Sequence, residues 1–368
     1  MTYNEDWTVL IYANGHNDLE TVINNQFHAL INSVLPGNIN IAVELARCSH
    51  QKPPEEKNCP QDGLYGVNRY CVKECETFLL EELEDMSMAD PSALFDFLVW
   101  GCSRFPASHI MLIMSGHGYG FMGFMADSSD CGTYLMSIPG FAEALRKFRL
   151  VTNQGIDILI FDTCYMNQIE VLFEIAEVSE NTAGYVILSQ ENPPLEGLPW
   201  PVIINGLEKD SVCLAVGAAA KGIVKAVNEM YKDGSSVFSV NFSGEYFYEL
   251  KELTDRLARA VLNEEKKADG SLVSSLPVKR DSVLISYSYL LNHISETIDI
   301  KELAAEIFET LDKIILYPEL NKADSLHNRG LCIYMPENQK QYLRLGNYYE
   351  QLLFCKENMW LMLIMGDN

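Results

Sequence analysis

Short apolar runs alternate with amphipathic stretches along the first two thirds of the chain. WTVLIYA (Trp7–Ala13), INIAVEL (Ile39–Leu45), IMLIM (Ile110–Met114), IDILIF (Ile156–Phe161) and YVILS (Tyr185–Ser189) have strand length and composition. The stretches between them show apolar residues at helical spacing. Asp90-Pro91 followed by SALFDFLVW begins a helix cleanly, with Asp as N-cap and Pro at the first helical position. Ile138–Phe148 and Tyr165–Val178 are read the same way. Strands alternating with helices predict an α/β fold, a mostly parallel sheet flanked by helices.

Beyond about residue 240 the texture changes. Strand-like runs (Val237–Phe242, Ser282–Tyr287, Gly330–Tyr334) mix with longer helices (Glu245–Leu262, Asp299–Ile315, Gln341–Cys355). This predicts a first domain over residues 1–235 and a C-terminal α+β subdomain over residues 236–368, packed on it. The Pro-rich segment from Ser49 to Gly63 lies between two strand-like runs and is read as a long hairpin loop. Cys48, Cys59, Cys71 and Cys75 surround it, but their spacing does not match the paired CxxC of zinc ribbons.

Charge narrows the choice of partner. The chain carries 51 acidic and 27 basic residues, a formal net charge of -24. That argues against nucleic acid or an anionic membrane, which need clustered Lys and Arg. No apolar run approaches the roughly 20 residues of a membrane span. MTYNEDW has neither a basic n-region nor an apolar h-region, so a cytoplasmic protein is expected, or a secreted one if a leader has been removed. Ten cysteines in 368 residues are too few for a disulfide scaffold, and most are expected to be reduced core thiols.

Candidate chemistry sits at two strand ends, where open parallel sheets bind ligands. One is Ser115-Gly116-His117-Gly118; the other is Asp162-Thr163-Cys164. A cysteine opening a helix has its thiolate favoured by the helix dipole and free N–H groups. A neighbouring histidine lowers its pKa further and supplies a proton to a leaving amine. Gly116 would let the chain turn, and Gly118 would leave the backbone bare for a substrate carbonyl. The N–H groups of Gly118 and Cys164 are then candidate oxyanion-hole donors. His117 precedes Cys164 by 47 positions, the order and about the spacing found in caspases.

The chain resembles the clostripain family of cysteine peptidases, relatives of caspases, gingipains and separases. WTVLIYANGHNDLE, DMSMADPSALFDFLVW, IMLIMSGHGYGFMG, IDILIFDTCYMNQIE and GLCIYMP resemble family segments in the family's order, over nearly the whole chain. The family often has Asp where His16 stands; His16 is read as a turn residue. The resemblance implies a caspase-like fold with His117 as catalytic base and acid and Cys164 as nucleophile, working as a dyad without an assigned third residue. Asp162 resembles the acidic floor of the pocket that holds the side chain before the cut bond, which favours Lys or Arg. Glu191 would add charge at the rim, and Trp200 is read as a core residue. Protein or peptide substrates with basic residues follow as partners.

Some family members need calcium; FMADSSDCG offers Asp127 and Asp130, without the ligand spacing of an EF-hand. Others cut themselves between the histidine and cysteine strands. Here Arg146, Lys147 and Arg149 are the basic residues between Gly123 and Gly155, which makes Lys147 and Arg149 processing candidates. Two alternatives stand beside the leading reading: a caspase-like peptidase of other specificity, and a catalytically silent binding module on the same fold.

Overall fold

The computed structural model describes residues 5–48, 65–73, 76–83, 86–129, 132–179, 182–190, 192–207, 216–231, 236–242, 244–265, 284–316, 330–336 and 338–365. The strands are β1 (Trp7–Gly15), β2 (Ile39–Arg47), β3 (Gly66–Lys73), β4 (Glu76–Glu82), β5 (His109–Ser115) and β6 (Ile156–Asp162), then β7 (Ala183–Ser189), β8 (Val237–Asn241), β9 (Leu284–Ser286), β10 (Ile315–Leu316) and β11 (Cys332–Tyr334). The helices of the first half are α1 (Glu20–Ile31), α2 (Pro91–Arg104), α3 (Ile138–Thr152), α4 (Ile169–Val178), α5 (Trp200–Asn205) and α6 (Val216–Met230). The second half adds α7 (Glu245–Glu265), α8 (Tyr287–Thr297), α9 (Lys301–Ile314), α10 (Gln339–Tyr349), α11 (Leu353–Glu357) and α12 (Trp360–Met365).

Nine strands form one sheet in the order β10-β8-β7-β6-β5-β1-β2-β3-β4. The central five, β2-β1-β5-β6-β7, are parallel, while β3, β4, β8 and β10 join antiparallel. All five apolar runs read as strands are strands, each extended by one to two residues. Every residue of β1 is buried, as a strand covered on both faces requires. Its side chains alternate between two cores: Leu10 and Tyr12 on one face, Val9, Ile11 and Ala13 on the other. β5 and β6 divide likewise, with Leu112 and Phe161 on the first face and Ile113 and Ile160 on the second. Alternation by pleat therefore supplies both cores from one apolar run.

α2 and α3 begin where their caps dictate. Asp90 accepts from the Ser92 N–H with Pro91 behind it, and Ser137 accepts from the Gly140 N–H with Pro139 behind it. Three differences from the pattern stand out. Helix α4 begins at Ile169 rather than Tyr165, the expected helix Gln341–Cys355 is broken into α10 and α11, and the helices α1, α5, α6, α8 and α12 were not expected. β2 and β3 pair antiparallel, as in a hairpin, and their connection 49–64 lies outside the described residues together with Cys59; Cys75 lies outside them too. Among the described residues Cys48, Cys71, Cys102, Cys164, Cys332 and Cys355 are free thiols. No described helix is long and apolar enough to cross a membrane.

A division after residue 235 would cut this sheet, because β8 and β10 complete it and the larger core continues into α7 to α12. The C-terminal part also braces the loops that follow β5 and β6. Phe121 packs on Tyr334 and Tyr349, with ring centroids 4.7 and 5.1 Å apart. The Asn167 amide donates to the carbonyls of Gln190 and Gly330, and the Cys332 N–H donates to the Asn167 carbonyl.

Glu170, on the first turn of α4, is fully buried beneath this brace. Its Oε1 accepts from the Tyr334 N–H (2.6 Å) and the Tyr349 hydroxyl (3.1 Å), while Oε2 has no protein partner. Burial pushes its carboxyl up to about 7, against these hydrogen bonds. A carboxyl whose folded pKa lies above its unfolded value binds more protons in the native state, so stability falls as pH rises from about 4.5 to 7. The full span is on the order of 3 kcal/mol. Glu170→Gln should remove that slope: chemical denaturation should show the variant gaining on wild type between pH 5 and 7.5. A pH-independent difference between the two would mean Glu170 is not carrying this proton.

Candidate active site

The chain leaves β1 to build β2, β3 and β4 on one side, then crosses to β5 on the other. This reversal of strand order falls between β1 and β5, and in such sheets ligands bind beyond the carboxyl ends of the strands at that point. Ser115 pairs with Asp162 at the last step of the β5–β6 register, so the two reactive segments leave the sheet side by side. The Gly116 N–H donates to the Asp162 carbonyl at 3.3 Å.

Gly118 lies directly against the cysteine turn. A Cβ there would stand 2.2 Å from the Cys164 carbonyl oxygen and 2.9 Å from its nitrogen, a clash between backbones that no rotamer relieves. Its bare backbone thus makes room for Cys164 itself, rather than for a substrate. On its other side the segment pairs with Phe124: the Tyr119 N–H donates to the Gly123 carbonyl and the Met125 N–H to the His117 carbonyl. That ladder uses the groups flanking Gly118, so the N–H of Gly118 points away from it. The sharp turns are made at Gly120 (φ 60°) and Gly123 (φ 126°) and not at Gly116, which has no positive φ.

His117 is half-buried, and its Nε2 lies 2.6 Å from Oδ1 of Asp18, on the turn after β1. The bond to His117 is the main cause holding the Asp18 carboxyl below its ordinary value. Asp18 is the residue the sequence reading missed. Its signal was the NDL of GHNDLE: a carboxylate three residues beyond a central strand, at the edge where the site forms.

Cys164 is half-buried and does not open a helix. Helix α4 begins five residues later, and Tyr165 intervenes in a left-handed conformation (φ 61°), uncommon for a non-glycine residue. The dipole argument from sequence therefore fails. Burial, and then the Asp162 carboxylate, push the thiol up from its ordinary value. Ionising this thiol requires a partner that takes its proton. Strained backbone at such a turn clusters at functional sites.

Asp162 is buried at 6% exposure. Oδ1 accepts from the Leu198 N–H (2.7 Å), and Oδ2 accepts from the Ser115 hydroxyl (2.8 Å) and the Trp200 indole (3.3 Å). Gly197 closes over it, with space for a Cβ only 3.2 Å from Oδ2. Burial raises its carboxyl against these three bonds, and none of the three donors carries charge. Trp200 is a fully buried core residue whose indole N–H supports this carboxylate. Glu191 lies outside the described residues.

His16 turns into the protein, and its Nδ1 lies 3.1 Å from Oδ2 of buried Asp127. Asp127 also accepts from the Met88 N–H and from Ser129, leaving neither carboxylate oxygen free. The calcium reading does not fit this residue, and Asp130 lies outside the described residues. Among the described residues no group of three or more His, Cys, Asp or Glu is arranged to hold a metal.

The processing candidates are not in an extended segment. Lys147 and Arg149 lie exposed on α3, in register with buried Leu145 and Phe148, and α3 ends at the amino edge of β6, opposite Cys164. A protease needs extended backbone, so cutting there requires α3 to unwind from the core.

Three solved structures resemble the whole molecule. An inactive zymogen C11 protease from Parabacteroides distasonis is 18% identical, covers 97% of this chain and 99% of its own, and superposes with a TM-score of 0.68. A secreted C11 cysteine protease from Bacteroides thetaiotaomicron in complex with an irreversible peptide inhibitor is 18% identical over the same shares, TM-score 0.67. The secreted C11 protease called iotapain, from the same organism, is 15% identical over the same shares, TM-score 0.69. These likenesses establish the fold, a large mostly parallel sheet flanked by helices. No curated protein matches the chain. The sequence model of the Clostripain family matches residues 11–365, and the chain accordingly belongs to that family of cysteine-type endopeptidases.

Proposed function

We propose that the protein hydrolyses peptide bonds after Lys or Arg, with Cys164 as nucleophile and His117 as the group that moves the proton. The observation that carries this reading is the interlock of the two segments: Gly118 abuts the backbone of Cys164, which brings the loop bearing His117 onto the turn bearing the thiol. His117 takes the Sγ proton as the thiolate attacks the substrate carbonyl, forming a carbon–sulfur bond. It returns that proton to the nitrogen as the carbon–nitrogen bond breaks and the amine leaves. Water, deprotonated by His117, then hydrolyses the thioester and restores the thiol. The N–H groups of Gly118 and Cys164 are the proposed donors to the intermediate's oxyanion.

Asp162 supports the basic preference because it is a buried carboxylate whose partners are all neutral. A guanidinium or ammonium arriving nearby would relieve its desolvation. The net charge of -24 favours approach of cationic substrates. One observation favours the second reading, a peptidase of other specificity: the three donors already satisfy Asp162 as a purely structural group.

An irreversible peptide electrophile tests both readings, made with Lys, Arg or norleucine before the warhead. Mass mapping should find Cys164 modified, faster with the basic probes. Equal rates would favour the second reading, and no labelling of Cys164 by any probe would favour a silent module.

A further inference from the structure

The turn after β1 brings a carboxylate to the imidazole that the proposed mechanism uses. Asp18 Oδ1 stands 2.6 Å from His117 Nε2, a charge-assisted distance. Asp18 is largely exposed and its carboxyl is held low, so it is ionised and can only accept. The hydrogen of a neutral His117 therefore sits on Nε2, and Nδ1 keeps the lone pair.

Few other side chains can do this. Asn14, at the end of the same strand, spends its amide on the carbonyls of Met125 and Ala126 and its oxygen on the His16 N–H. His16 is turned away onto Asp127. The neighbouring side chain also holds Asp18 in place: the Asn17 amide donates from Nδ2 to the Ala126 carbonyl at 2.8 Å, and its Oδ1 accepts from the Leu19 N–H at 2.9 Å. The turn is thereby tied to the 125–127 segment, which in turn bonds the His117 carbonyl through Met125. One backbone frame thus carries both partners of the pair.

We infer that Asp18 is a positioning residue for His117, holding the imidazole by Nε2 so that Nδ1 is the nitrogen that exchanges protons with Cys164 and the leaving amine. This rests on the Cys–His reading above. A carboxylate beside an imidazole also favours the charged ring, so Asp18 would stabilise the imidazolium formed when the thiol gives up its proton. The other titratable groups at this corner are Tyr119 on the same loop, Tyr134 bonded to it, and Cys164 across from it.

Asp18→Ala and Asp18→Asn test the role, since the exposed side chain leaves folding unaffected. Asp18→Ala should lower kcat by about 10- to 100-fold while KM stays within about twofold, the scale of loss typical when a partner orienting a reactive histidine is removed. Asp18→Asn should recover much of kcat, because an amide oxygen still accepts from Nε2–H. NMR of the His117 ring nitrogens should show the hydrogen on Nε2 in the wild type and that tautomer preference lost in Asp18→Ala, without relying on turnover. An Asp18→Ala protein with wild-type kcat and an unchanged His117 tautomer would overturn this role and leave the peptidase reading intact. A wild-type protein that neither cleaves basic peptides nor labels at Cys164 would overturn both.

Discussion

Cys164→Ala should lower kcat/KM by about four orders of magnitude or more and leave the fold unchanged. The nucleophile contributes the covalent route, and what survives its loss is the weak acceleration from binding and oxyanion donors. The substitution removes one sulfur from a half-buried turn whose geometry is set elsewhere: by Tyr165 in its left-handed conformation, by the Gly118 contact and by the Asn167 bonds to Gln190 and Gly330. Thermal unfolding should therefore shift little. His117→Ala should be nearly as severe, because burial and Asp162 both hold the thiol in its protonated form. With the proposed proton acceptor gone, Cys164 stays a protonated, half-buried thiol. The double variant should be little worse than either single one, since the two groups act as a unit. Steady-state kinetics on one basic peptide, with unfolding curves for each variant, decide it. Turnover by Cys164→Ala near the wild-type level would end the assignment.

Asp162→Asn should reduce cleavage after Lys and Arg far more than cleavage after a neutral residue. The lost interaction is a charge-assisted contact in a buried site, on the order of 2–4 kcal/mol, or about 30- to 1,000-fold in kcat/KM. The structure adds a second cost. An asparagine amide would direct a donor at one of the three donors now served by the carboxylate, the Ser115 hydroxyl, the Leu198 N–H or the Trp200 indole. Moderate destabilisation, on the order of 1–3 kcal/mol, should accompany the change in specificity. The ratio of rates for two peptides differing only at the residue before the cut separates these effects, because a folding defect lowers both equally. An unchanged ratio would make Asp162 a structural support for the loop around Gly197 and Trp200.

Much of the molecule could be read from local pattern because local physics controls it. The five parallel strands were legible since a strand covered on both faces needs a continuous apolar run, and WTVLIYA or IDILIF can be little else. α2 and α3 were legible through their caps, whose hydrogen bonds span only two or three residues. His117 and Cys164 were legible because each stands two residues beyond the end of such a strand. The failures have an equally specific cause. Tyr165 to Gln168 continue the helical pattern of α4, but the turn holding Cys164 is set by contacts with Gly118 and with the distant Gly330 and Cys332. The break between α10 and α11 follows the docking of Tyr349 on Glu170, with the Leu353 N–H bonded to Glu174, almost 180 positions away.

The sequence by itself determined the family and pointed to two candidate groups, His117 and Cys164, because strand ends, glycines and reactive side chains are written in consecutive residues. Only the tertiary structure decided how those groups are tuned. Asp18 reaches His117 from 99 positions away, Ser115 and Trp200 converge on Asp162 from two separate segments, and His16 is committed to Asp127 instead of the site. Hydrogen bonds of this kind depend on distance in space, and separation along the chain carries no information about it until the sheet has set which strand ends are neighbours.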